Sequence, residues 1–350
     1  MAGESREGLQ DLSPFNPGMS LNKVTDGSHA EVFEARKSES LSPTPDFYIK
    51  MGMVENFPLP ILKMLRLVVP RKLASNFLAR VLGPEFKIYP DQEFIKNGVA
   101  EYLLIRKYFS GSEQNSLADY PVKEYEKNFQ GKVTLYPEGE SPVRAEVLKS
   151  LKDPADPFHQ ELLKVLGSEE TITCIAGVFQ RHEDDSFLKG EGAIIGHPLK
   201  LTWERAEELK AQGKRLPSTY YIIQKPVTGE GIVPLEKLND DQMQQHPEVV
   251  EKLLVFALLA KKMYFDTGRL IDTRPEEVAR HPWEWFKKTA NVLVDTNSGG
   301  VFFIDTRWLW NKDSRLVGRK GLRLIDILGQ RSIDRALKKY THLLEKKVKT

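Results

Sequence analysis

The stretch from Asn291 to Asp305 constrains this chain more than any other. Two β-branched and aromatic runs, Val292-Leu293-Val294-Asp295 and Val301-Phe302-Phe303-Ile304, flank Thr296-Asn297-Ser298-Gly299-Gly300, which has the turn chemistry of a hairpin loop. Closing that hairpin brings Asn291 and Asp305 to the same end. Neighbouring strands lie about 4.8 Å apart, so two oxygen-bearing side chains there can share one small, hard cation. Upstream, Arg269-Leu270-Ile271 is a short strand-like run that stops at Asp272, and Thr273-Arg274-Pro275-Glu276 follows as a turn. Polar residues at the ends of short apolar runs read as the floor of an active site.

Composition narrows the class. A chain of 350 residues that is 40% apolar has room for one large two-lobed domain or two small ones around a real core. A net charge of +2 gives no argument for a nucleic-acid partner. The single cysteine, Cys174, rules out an intramolecular disulfide framework and a Cys-based zinc cluster, and fits a reducing compartment. A membrane helix needs about 20 consecutive apolar residues, and every such stretch here carries charge. The N-terminus has no signal-peptide core, so a cytoplasmic location is expected.

Along the chain, residues 1–20 are expected to be a loosely held lead. Thr25 to Arg36 then has a turn-forming centre, Gly27-Ser28-His29, followed by an alternating strand, and Phe47 to Met51 is an apolar run carrying Lys50. Residues 57–83 suggest two basic amphipathic helices broken at Pro70, able to pack on the domain, cover a site or touch a membrane surface. Gln92 to Phe109, which contains Glu101, has helical spacing. Residues 110–156 look like an insertion. Thr171 to Gln180 and Gly190 to Ile195 are expected to be strands, and Trp203 to Gln212 a short helix. Thr219 to Gln224 is a strong strand that turns into a Gly-containing connector, Lys225 to Gly231. Pro247 to Tyr264 is a helix, apolar through its middle and stopped by Gly268. Gly318 to Thr350 is expected to be two helices.

Taken in order, these segments resemble the protein-kinase-like superfamily, and lie closer to its aminoglycoside, sugar and lipopolysaccharide kinase branches than to eukaryotic protein kinases. Asp272-Thr273-Arg274-Pro275-Glu276 is similar to the family's Asp-Leu-Lys-Pro-Glu. Asn291 stands before Val-Leu-Val-Asp after an apparent insertion, 277–290, and Asp305 matches the metal-binding Asp. Thr306-Arg307 follows where many members have Phe-Gly. Trp308-Leu309-Trp310 follows in turn, with no Ala-Pro-Glu segment after it.

The resemblance implies an α+β fold of two lobes: a small antiparallel sheet lobe over 21–226, with helical insertions at about 52–92 and 110–170, and a mainly helical lobe over 227–350. It implies ATP and Mg²⁺ as cofactors. Gly27, Ser28, His29 and Lys50 would meet the phosphates, with Glu101 or Glu161 pairing Lys50, and Gln224, Lys225 and Val227 would meet the adenine. Asn291 and Asp305 would bind the metal. Asp272 would take a proton from the attacking hydroxyl, and Arg274 would steady the transferred group. Two functions stand: a phosphotransferase acting on a hydroxyl of a small molecule or glycoconjugate, and an inactive pseudokinase that binds nucleotide or a protein partner. The single glycine of the 27–32 loop and the displaced Asn291 belong to the second. A peripheral membrane contact through 57–83 is a further expectation.

Overall fold

The computed structural model describes residues 12–26, 30–52, 91–111, 120–123, 134–136, 142–199, 201–271, 291–304, 308–311 and 320–348. In chain order the strands are β1 (Met19–Asp26), β2 (Ala30–Lys37), β3 (Phe47–Gly52), β4 (Thr134–Tyr136), β5 (Glu191–Gly196), β6 (Thr219–Gln224), β7 (Ile232–Pro234), β8 (Arg269–Ile271), β9 (Val292–Asp295), β10 (Val301–Phe303) and β11 (Trp308–Asn311). The helices are α1 (Asp91–Phe109), α2 (Pro142–Lys152), α3 (Pro157–Leu166), α4 (Glu169–Arg181), α5 (Trp203–Ala211), α6 (Asp240–Gln245), α7 (Pro247–Thr267) and α8 (Lys320–Val348). The fold class is α+β, as the sequence predicts.

The chain divides into two compact units. The first comprises Met1–Ala100, Asn115–Glu138 and Gly190–Pro226; the second comprises Glu101–Gln114, Gly139–Lys189 and Val227–Thr350. The chain passes from the first unit to the second for the last time at Pro226/Val227. Whereas the sequence reading puts an insertion of about 110–170 in the sheet lobe, the segment Gly139–Lys189 belongs to the second unit. Its helices carry apolar stripes, with Val143, Val147, Phe158, Leu162, Ile175 and Phe179 all in the second unit's core.

The first unit is built on an antiparallel sheet of order β1-β2-β3-β6-β5-β4. Alternation sends one set of side chains to each face. Phe33, Ile49 and Ile223 are aligned across three strands and join Phe47, Met51, Ile194 and Tyr221 in a core on one face. The supposed lead segment helps to close that core: Phe15 meets Tyr221 edge-on, with centroids 5.5 Å apart. Its neighbours Asn16 and Pro14 bond to Pro121 and Lys123. Order therefore begins by Leu12 and not at Leu21, because Phe15 covers the sheet face and Leu12 packs with Leu201 and Ala206.

The second unit is mainly helical. Its centre is α7, buried from Leu253 to Met263 as its apolar middle predicts. Gly268, at φ 66°, caps the helix by donating to the Tyr264 carbonyl, and the left-handed backbone turns the chain directly into β8. The C-terminal segment is one helix, α8, and not two. It approaches β8 at Gly329, where a Cβ would lie 2.3 Å from Leu270 Cδ1. Thr171 to Gln180 is helical and not a strand. Ser168 caps α4 by accepting from Thr171 N–H, Glu169 and Glu170 occupy its first turn, and Ile172, Ile175, Ala176 and Phe179 face inward at helical spacing. Among the described residues no helix is long and apolar enough to cross a membrane.

Candidate functional site

Lys50 lies at the centre of the first unit's sheet, paired with Val32 on β2 and Ile222 on β6. Because Ile49 and Ile223 belong to the core face, Lys50 and Ile222 are on the other. That face carries two cross-strand rows. One is Val32, Lys50, Ile222 and Ala193; the next, at the end where β6 finishes, is Glu34, Tyr48, Gln224 and Glu191. The second row is polar and is buried at its β6–β5 end, with Gln224 4% and Glu191 2% exposed. Glu34 bonds Arg36 at 3.2 Å, and burial followed by the charge of Glu34 raises the Tyr48 pKa.

Two neighbours fix the ends of this face. Tyr220, two residues before Ile222, packs against Gly98 of α1 so closely that a Cβ there would lie 2.2 Å from its ring. Beyond Gln224, the Lys225 N–H donates to Gly190 at 3.2 Å. Gly190 has φ +49°, and a Cβ on it would lie 2.8 Å from Lys225 Cδ, so the stem of Lys225 lies over that turn. Glu101 follows Gly98 by three positions on one stripe of α1 and is half-buried. Glu161, the other candidate partner for Lys50, is bonded to Lys261 of α7 at 3.1 Å. Lys261 also meets Asp334 at 2.9 Å. A lysine 2% exposed needs such acids around it, so Glu161 is occupied in stabilising the second unit's core.

In the second unit, β9 and β10 form the expected hairpin, with Val301 opposite Val294 and Phe303 opposite Val292. The register continues one step: Ile304 N–H donates to the Asn291 carbonyl at 2.9 Å. Asn291 is thus opposite the residue before Asp305. Asp295 organises the loop, its carboxylate accepting from the Asn297 and Ser298 N–H groups and from Ser298 Oγ at 2.6 Å. The Ser298 bond is the main reason its pKa is lowered. Thr296 and Asn297 reach the connector, donating to the carbonyls of Gly231 and Glu230. β7 then pairs with β9, placing Ile232 opposite Asp295. The chain that enters the unit at Val227 is therefore held by the same hairpin that carries Asn291.

An aromatic cluster that the sequence does not announce fixes the depth of β10. Phe303 packs on Phe256 of α7 at 5.6 Å and on Phe109 at 5.8 Å, and Phe187 meets Phe256 at 5.3 Å. The main chain repeats the link, since Phe187 N–H donates to Phe109 O at 2.9 Å and Phe303 N–H to Phe187 O at 2.7 Å. On the other side β8 pairs with β11, Ile271 facing Trp308. Asp272 follows β8 and Asp305 follows Ile304 directly in the chain. Asp272, Arg274 and Asp305 themselves lie outside the described residues, as do Gly27, Ser28, His29 and the segments 57–83 and 277–290.

Among the sequence candidates, Lys50 and Gln224 share one sheet face of the first unit, with Lys225 next along the chain, while Glu101, Val227 and Asn291 belong to the second unit. The Lys50 face offers a cation and a buried carboxamide, groups suited to a phosphorylated ligand with a polar ring. The Asn291 carboxamide offers one oxygen ligand of the kind Mg²⁺ takes. No protein-family model matches the chain, and no curated protein or solved structure matches it.

Proposed function

We propose that the chain is a phosphotransferase of the protein-kinase-like kind, its sheet unit and helical unit being the two lobes of that fold. The substrate is a nucleoside triphosphate with Mg²⁺, ATP by the family resemblance, and the acceptor is a hydroxyl of a small molecule or glycoconjugate. The observation that carries this is the placing of Lys50: a cation at the middle of an antiparallel sheet, on the face away from the core, two rungs of the ladder from where β6 leaves for the second unit. The chain path adds support. A buried helix, a glycine cap, a short strand, the Asp272 segment and a hairpin bearing Asn291 and Asp305 follow one another, the order that phosphoryl transfer by this family uses.

Phosphoryl transfer asks little covalent work of a protein, and positioning with charge compensation supplies most of the rate. Lys50 neutralises the inner phosphates, and Glu101 is the partner that the family resemblance gives it. By the resemblance, Gly27, Ser28 and His29 would meet the phosphates, and the segment from Gln224 to Val227 would hold the base. Asn291 and Asp305 would hold Mg²⁺, which would supply positive charge to offset that of the phosphates. Asp272 accepts the proton of the attacking hydroxyl, and Arg274 steadies the transferred group.

Turnover of Mg²⁺-ATP and Mg²⁺-GTP with panels of sugars, aminoglycosides and glycolipids tests this. Phosphate transfer that is lost in Asp272→Ala supports it, and transfer that survives unchanged removes Asp272 from its role. A second reading, a nucleotide-binding protein without turnover, is favoured by the single glycine of the 27–32 loop and by Glu277 standing where the family has Asn. It predicts nucleotide binding with no phosphate transfer to any acceptor.

A further inference from the structure

We infer that His182 is a pH-sensitive latch within the second unit: its charged ring ties the segment from Glu183 to Phe187 to α7, and so sets how firmly β10 is seated on the end of α1. His182 caps α4, its N–H donating to the Phe179 carbonyl at 3.0 Å. The ring spans two elements, with Nδ1 donating to Asp185 at 2.9 Å and Nε2 to Glu251 of α7 at 2.8 Å. Burial pushes both carboxyl groups upward, but the His182 bond and the neighbouring cations outweigh it and leave their pKa values lowered. Both are therefore ionised near neutral pH. An ionised carboxylate only accepts, and a neutral imidazole has a single N–H. The two bonds together require the doubly protonated ring, and once one proton leaves, a nitrogen lone pair faces a carboxylate.

The segment that the ring holds is itself a link. Its main chain passes so close to Gly111, just beyond α1, that a Cβ there would lie 2.0 Å from the Asp184 oxygen. Phe187 then donates to the Phe109 carbonyl at 2.9 Å and accepts from the Phe303 N–H at 2.7 Å, one step before Ile304. Other charges share the cluster. Arg181 meets Glu251 at 2.9 Å, and Lys252 of α7 meets Asp185 at 3.4 Å. From α2, Arg144 donates to the carbonyls of His182 at 3.5 Å and Asp185 at 2.8 Å and lies over the Phe187 ring at 5.6 Å. Burial lowers the Arg144 pKa to about 10, against the charges of Asp185, Asp184 and Glu183. Arginine and lysine side chains hold their charge well above neutral pH, so among these groups the ring is the one that changes there. The Asp185 bond is the main reason its pKa is raised, and the latch is fast below about 6.5 and slackens as pH climbs through the folded value. The cations that remain make this a loosening and not an unfolding.

Amide hydrogen exchange followed by NMR on the full chain, expressed as protection relative to an unstructured chain at the same pH, tests the inference. Between about pH 6 and 8.5 the protection of the Phe187 and Phe303 amides is expected to fall roughly tenfold, the scale of losing one hydrogen bond to a charged group. The fall should track the titration of the His182 ring signals, while Leu258, in the buried middle of α7, keeps its protection. His182→Gln, which has no charge to lose, is expected to show the reduced protection already at the lower pH and no further fall. The profile of the unaltered chain stands whatever that variant does. Protection at Phe187 and Phe303 that does not change with pH, that falls equally at Leu258, or that still falls in His182→Gln overturns the latch.

Discussion

The main-chain N–H of Ile304 donates to the carbonyl of Asn291 at 2.9 Å, which closes the β9–β10 hairpin one residue short of Asp305. The hairpin end is therefore a fixed frame, held from beneath by Phe303 on Phe256 and Phe109. Asp305→Asn, which keeps size and removes charge, is expected to lower Mg²⁺-dependent turnover by about a hundredfold or more, the scale of losing charge stabilisation of a transferred phosphoryl group. The melting temperature should stay within a few degrees. A steady-state phosphate-transfer assay beside a thermal melt checks both.

Lys261 gives a stability prediction with a built-in contrast. It is 2% exposed between Glu161 and Asp334. Removing both acids in Glu161→Gln with Asp334→Asn leaves a buried ammonium without its charges, a loss of about 3–5 kcal/mol. Lys261→Met, apolar and of similar length, is expected to cost much less, since replacing buried charge with well-packed apolar groups is often near neutral. Urea unfolding of the two variants should place them in that order.

Tight packing of α1 on the sheet depends on Gly98. Adding the methyl group of Gly98→Ala drives it into the Tyr220 ring, and overpacking of this kind costs about 1–3 kcal/mol. Tyr220→Ala in the same chain makes room, so the double variant should lose less than the two single losses added. A double-mutant cycle by denaturant unfolding measures it.

His182 sets a pH dependence. Its ring bonds Asp185 at 2.9 Å and Glu251 at 2.8 Å, while Arg181 meets Glu251 at 2.9 Å and Lys252 meets Asp185 at 3.4 Å. The Asp185 bond is the largest cause of the raised His182 pKa. For Asp185 and Glu251, burial pushes upward but the bonds and neighbouring cations outweigh it, and both are lowered. A raised histidine contributes stability that is full below its unfolded pKa of about 6.5 and fades as pH climbs through the folded value. The lowered carboxylates contribute stability that is full above about 4–4.5 and is lost as pH falls. The gap in stability between the natural chain and His182→Gln should therefore be widest between about pH 5 and 6 and narrower by about pH 9. Chemical denaturation at several pH values gives the profile.

Much of this framework is legible in the sequence. Val292 to Ile304 declares its hairpin through β-branched runs around a Gly-Gly turn, and Pro247 to Gly268 declares a buried helix and its cap. Thr171 to Gln180 is deceptive because Thr, Ile and Val favour strands, yet Ser168 followed by Glu169 and Glu170 is a helix start, and that cap with tertiary packing prevails. The pairing of β3 with β6 joins residues such as Lys50 and Ile222 that are far apart in the chain, and no local pattern encodes it. The Phe109, Phe187 and Phe303 relay is invisible for the same reason, as is the allegiance of Gly139–Lys189 to the second unit. Glu161 looks like any helix-face glutamate until Lys261 is found against it.

The most direct measurement is the affinity of Mg²⁺-nucleotide for the natural chain and for Lys50→Met, by calorimetry on proteins of matched thermal stability. A sheet that presents Lys50 to a triphosphate predicts saturable binding that weakens about tenfold or more in the variant, as loss of a charged contact to phosphate entails. Binding that is absent from the natural chain, or that Lys50→Met leaves untouched, contradicts it.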